Sequence, residues 1–167
     1  MKKSIFLIII LLIIEIFPLK SQGPRGKDFG FGLLLGDPLG LTIKYWTNQE
    51  NALDAYLGES YFGATRIGAD YLWHFDAFNS KVVKMYAGPG LTIGFGNGRY
   101  YFYNEDHDRF YYRSDEGTGF GGRVILGINI IPRRTPIEII LEAGVLVGIS
   151  PAFGTAIDTG LGIRFYP

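Results

Sequence analysis

Three observations predict an all-β fold, an eight-stranded antiparallel up-and-down transmembrane β-barrel. Apolar and polar residues alternate with a period of two along most of the chain. In 157–165, Ile157, Thr159, Leu161, Ile163 and Phe165 share one face, and charges or glycines fill the other. The N-terminus has the layout of a secretory signal. Beyond that signal no long apolar run remains, so a chain integral to a membrane has to cross it as a closed barrel.

Composition agrees. The chain has 167 residues, enough for one domain; 47% are hydrophobic, 16% aromatic and 24 are glycine. Aromatics favour strands and glycines favour tight turns. Zero net charge leaves no footprint for nucleic acid. The absence of cysteine excludes a disulfide scaffold, a thiolate metal site and a cysteine-anchored lipoprotein.

Residues 1–21 read as the signal peptide and 22–167 as the barrel domain. Met1, Lys2 and Lys3 form a basic start. The stretch 4–17 is apolar apart from Glu15, and 18–23 breaks it with small and polar residues, placing cleavage after Ser21. The apolar run falls short of the ~20 residues of a spanning helix.

The first predicted strand, 29–35, sets Phe29, Phe31, Leu33 and Leu35 on one face, and Asp37-Pro38 turns the chain. In the second, 39–46, Leu39, Leu41, Ile43 and Tyr45 oppose Thr42 and Lys44. A polar turn leads to the third, 52–58, with Asp54 and Tyr56 inward. That hairpin puts Lys44 and Asp54 directly across from each other. The fourth, 63–75, opposes Ile67, Ala69, Tyr71, Trp73 and Phe75 to Arg66, Asp70 and His74. The fifth, 84–95, carries Pro89 outward, where a missing ladder donor predicts a bulge. The sixth, 119–131, turns Arg123 and Asn129 inward; the seventh, 137–149, does so with Glu138 and Glu142. The eighth is 157–165. Eight is an even count, as single-chain bacterial barrels require, and Tyr45, Trp73, Phe75, Phe95, Phe120, Phe165 and Tyr166 stand where aromatic girdles lie.

The inner face therefore holds Lys44, Arg66, Arg123 and Arg164 against Asp54, Asp70, Glu138, Glu142 and Asp158. Buried charges persist when paired, and an eight-stranded barrel is narrow enough for side chains to fill. The expectation is a filled, ion-paired interior. Its charges either only hold the barrel together or also carry protons or small ions, as a small ion or solute pore would. A soluble lipocalin-like barrel is the inverse arrangement, apolar inside and polar outside. It would leave the apolar face of this chain bare in water.

Gly36-Asp37-Pro38-Leu39-Gly40-Leu41-Thr42-Ile43-Lys44-Tyr45-Trp46, then Asn51-Ala52-Leu53-Asp54, then Ala69-Asp70-Tyr71-Leu72-Trp73-His74-Phe75 resemble a family of small, uncharacterised bacterial outer-membrane β-barrel proteins. These are similar in architecture to the OmpA transmembrane domain and OmpX. The resemblance extends to 160–166 and implies eight strands with both termini in the periplasm; it transfers no catalytic residue. The C-terminus is also similar to the signal read by the barrel-assembly machinery, through Asp158, Gly160, Ile163 and Phe165, although Tyr166 and Pro167 follow the final aromatic.

One connection, 96–117, is long. Arg99, Tyr100, Tyr101 and Tyr103 precede an acidic tip, and Arg109, Phe110, Tyr111 and Tyr112 follow it. Either 99–103 and 109–113 prolong the fifth and sixth strands, or they form an extracellular interaction loop. Tyr and Arg dominate binding hot spots, and a free hairpin edge can add a partner's strand. Glu105, Asp106, His107 and Asp108 are oxygen-rich but lack the spacing of a calcium loop. Neither His74, expected in a girdle or turn hydrogen bond, nor His107 stands in a local nucleophile arrangement, so no enzyme and no cofactor are expected. The expected partners are outer-membrane lipid, the assembly machinery during biogenesis, and an extracellular protein or surface ligand. The expected location is the cell outer membrane.

Overall fold

The computed structural model describes residues 23–96, 98–104, 109–115, 117–132, 134–150 and 153–167, with the backbone alone for 98–104 and 109–115. The signal segment lies outside the described residues. Ten strands follow in order: β1 (Phe29–Asp37), β2 (Leu39–Trp46), β3 (Asn51–Glu59), β4 (Thr65–Phe75), β5 (Val83–Phe95), β6 (Gly98–Asn104), β7 (Arg109–Asp115), β8 (Thr118–Ile130), β9 (Ile137–Ser150) and β10 (Gly154–Phe165). Eight of them close a barrel in the order β1-β10-β9-β8-β5-β4-β3-β2, every neighbouring pair antiparallel. This is the predicted fold: sequential neighbours pair, and the last strand returns to the first.

The two additional strands come from the long connection. β6 and β7 form a separate ribbon that keeps the register of β5 and β8. Phe95 stands opposite Thr118, and Gly98 opposite Asp115. The ladder breaks between these pairs. There Gly96 adopts φ +83°, which favours glycine, and its N–H donates to the Gly117 carbonyl at 3.1 Å. The ribbon thus extends β5 and β8 in register, as a sheet of its own.

Strand ends differ from the alternation by a few residues. β4 begins at Thr65 because Gly63, at φ +88°, still belongs to the turn. The bulge expected at Pro89 is absent. Pro89 pairs with Val124 in an unbroken β5–β8 register, and the β4–β5 ladder resumes in the same register on either side of it. The barrel absorbs one missing donor without adding a residue. The register shift lies instead between β8 and β9, at Phe120/Gly121. The Asp37–Pro38 peptide of the β1–β2 turn is cis.

The two faces of the wall are inverted relative to a soluble core. Lys44 and Arg66 are 0% exposed, whereas Leu91 is 74% and Ile157 75% exposed. Leu33, Leu41, Leu126, Leu141 and Ile163 also stand outward. The expected girdle residues Tyr45, Trp73, Phe75, Phe95, Phe120 and Phe165 are exposed. Tyr166 is the exception: it turns inward and is buried, because it falls on the same alternation as Arg164. Its ring lies over Gly30, where a Cβ would come 2.5 Å from Cζ. Tyr166, Trp46 and Ala52 close the end of the barrel at which β1 begins and β10 ends, with Ile131 packed against them. Beneath them a 3-10 turn, Pro24–Gly26, crosses the opening, and Arg25 Nη2 donates to the Arg134 carbonyl at 2.8 Å. Phe62 and Leu146 bury together towards the opposite end.

Candidate functional site

The barrel interior brings all nine predicted charges together, and each is buried. Nearest the closed end, Glu138 is the hub. Its carboxylate accepts from Lys44 Nζ (2.7 Å), Asn129 Nδ2 (2.9 Å), the Tyr166 hydroxyl (2.7 Å) and Arg164 Nη1 (3.4 Å). Lys44 also meets His74 Nε2 at 2.9 Å and sits 4.3 Å from the centre of the Trp46 ring. His74 Nδ1 lies 3.1 Å from the Glu50 carbonyl in the β2–β3 turn. A carbonyl only accepts, so the proton is on Nδ1 and Nε2 accepts from Lys44. His74 thus makes the expected turn hydrogen bond, and it also belongs to the charge network. Tyr166 lies just beyond β10. Burial and the adjacent Glu138 carboxylate hold its phenol above the ordinary value, so it stays a donor.

Further in, Arg164 pairs with Asp54 and reaches Thr42 Oγ1 through Nε (3.1 Å) and Nη2 (2.8 Å), while Thr42 donates to Asp54 at 2.9 Å. The Tyr86 hydroxyl donates to Glu142 at 2.8 Å. Among the described residues Glu142 forms no ion pair; of the five predicted interior carboxylates it is the one held by a neutral donor without a cation beside it. Towards the ribbon end, Asp158 accepts from Arg66 at 2.6 and 3.0 Å and from Arg123 at 3.1 Å. Arg123 also pairs with Asp70. Arg66 donates to Thr92 (2.8 Å) and to the Tyr56 hydroxyl (3.0 Å), and the Arg123 guanidinium stacks 4.2 Å from the Tyr56 ring centre.

The predicted Lys44–Asp54 pair is in register across β2 and β3, yet each residue takes its ion partner elsewhere: Lys44 from β9 and Asp54 from β10. In a narrow barrel a long cation can reach across the lumen, where the opposite carboxylate is desolvated and available. The inward aromatics Trp46, Tyr86 and Tyr166 complete the site but were not among its predicted members. The signal for them is parity: Trp46 follows Lys44 by two residues, and Tyr166 follows Arg164 by two.

The assembly-signal residues all lie on β10, Gly160 inward and Ile163 and Phe165 outward. In the interaction loop, the backbone places Tyr101 opposite Tyr112 and Tyr103 opposite Phe110. The side chains of Arg99, Tyr100, Tyr101, Tyr103, Arg109, Phe110, Tyr111 and Tyr112 lie outside the described residues, as do Glu105, Asp106, His107 and Asp108 entirely. Among the described residues no group of three or more His, Asp or Glu is placed to hold a metal ion. Comparison with protein-family models, curated proteins and solved structures finds no match.

Proposed function

We propose that this protein is an integral outer-membrane β-barrel with a filled interior, whose role is structural or one of surface interaction through the β6–β7 ribbon. The carrying observation is the inversion of its faces. A closed wall that turns leucine, isoleucine and aromatics outward and four cations with five carboxylates inward is matched to lipid outside and to ion pairing inside. A lipocalin-like function would need an apolar lumen, and this lumen is lined by charge. The export signal and the likeness to small bacterial outer-membrane barrels support the same reading, with lipid and the assembly machinery as partners. With the closed end periplasmic, the ribbon stands on the cell surface, where long loops of such barrels carry recognition.

An ion path is the second reading, favoured by two charged clusters, Lys44–Glu138–Arg164–Asp54 and Asp70–Arg123–Asp158–Arg66, that meet where Asp54 stands opposite Asp70. Trp46 and Tyr166 stand across its lower end. The test of the barrel is gel migration in mild detergent. The folded protein is expected to run as a compact band that shifts on boiling. A single band, unchanged by heat in a sample that is folded by circular dichroism, contradicts the proposal.

A further inference from the structure

The apolar wall is uneven in height. The strands β1, β2 and β3 have 9, 8 and 9 residues, whereas β5, β8 and β9 have 13, 13 and 14. Their lower ends coincide, since Phe31 stands opposite Phe165 and Phe165 opposite Ile137. The upper ends do not: β1 leaves β10 at Thr159, while β10 continues beside β9 to Gly154. The outward residues sharpen the contrast. On β3 the apolar set is Leu53, Ala55 and Leu57, bounded by Asn51 below and Glu59 above. On β9 it runs without interruption from Ile137 to Ile149. At ~3.3 Å per residue and a tilt of ~40°, these spans are about 10 Å and about 30 Å high, against the ~25 Å belt of an ordinary outer-membrane barrel.

We infer that the bilayer is thinned beside β1–β3 and of full thickness beside β5, β8 and β9. The inference rests on the outer-membrane reading and deepens it by giving the shape of the lipid contact. The occupant of the outer wall is lipid because the apolar face runs around a closed cylinder, and a partner on one side would leave the rest of its circumference bare. Acyl chains of ordinary length on the short side would bring Asn51 and Glu59 into hydrocarbon. Shortening the bilayer locally costs less than burying a carboxylate.

The chain has no cysteine, so single labels can be placed at will. Leu57 and Ala143 lie equally far above the first residues of their strands, and so do Leu53 and Ile139. Each is replaced by Cys, labelled with an environment-sensitive fluorophore, and folded into phosphatidylcholine vesicles brominated either near the headgroup or at mid-chain. Leu53 and Leu57 should both lose more fluorescence to the shallow bromines, and Ala143 more to the deep ones. Leu41→Cys on β2 replaces Leu57→Cys should that variant fail to fold. Equal depth for Leu57 and Ala143 overturns the inference in favour of an even bilayer. Leu53 deep while Leu57 is shallow overturns it in favour of a tilted barrel in an even bilayer. In both cases the membrane reading stands. A folded protein quenched at no site by any bromolipid overturns that reading and the inference with it.

Discussion

Asp158 is the residue on which two arginines depend. It is the shared carboxylate of Arg66 and Arg123, so Asp158→Asn takes from Arg66 its close counter-ion and leaves Arg123 with Asp70 alone. Breaking a buried pair from one side costs about 3–5 kcal/mol. Urea unfolding in detergent should show a loss of that size. Glu142 is the contrasting case. Its donor is the neutral Tyr86 hydroxyl, which an amide oxygen can also satisfy, so Glu142→Gln should cost about 1 kcal/mol or less. Equal losses for the two variants would show that pairing is not what distinguishes these sites. Tyr166→Phe removes one donor from Glu138 and the acceptor of Trp46 Nε1, at about 1–3 kcal/mol. An unchanged unfolding midpoint would mean that water replaces that hydroxyl.

At the scale of the element, the ribbon is separable from the wall. It pairs only within itself, and the Gly96–Gly117 hydrogen bond already closes the β5–β8 connection beneath it. Replacing 98–115 by a short turn should therefore leave the folded band, with any loss of stability confined to what β6 contributes where it lies against β10. Binding of the variant to cell-surface ligands should be lost; retained binding would move recognition to another rim turn. The strands were legible because period two survives wherever one face is apolar and the other charged, as from Leu39 to Trp46. Pro89 misled because a proline can forfeit one donor without forcing an extra residue into its strand. The ribbon's break was not read from the sequence, because its signal, glycine at 96 and 117, is lost among the many glycines that stand inside the strands themselves.

For the whole molecule, the charged residues of the site could be read from parity, but their partners could not. Lys44 and Asp54 were matched as cross-strand neighbours, whereas closure of the cylinder offers each a partner across the lumen. Only the closed geometry decides between a neighbour and an opposite wall. The inverted wall is the central feature, and the outer-membrane location with the ribbon at the cell surface is the proposal built on it. The direct measurement is a peptide tag inserted at Asp106, in the sequence between β6 and β7, probed on intact cells. The account predicts labelling of intact cells by an antibody that cannot cross the outer membrane. Labelling only after that membrane is broken, with the folded protein recovered in the soluble fraction, would contradict it.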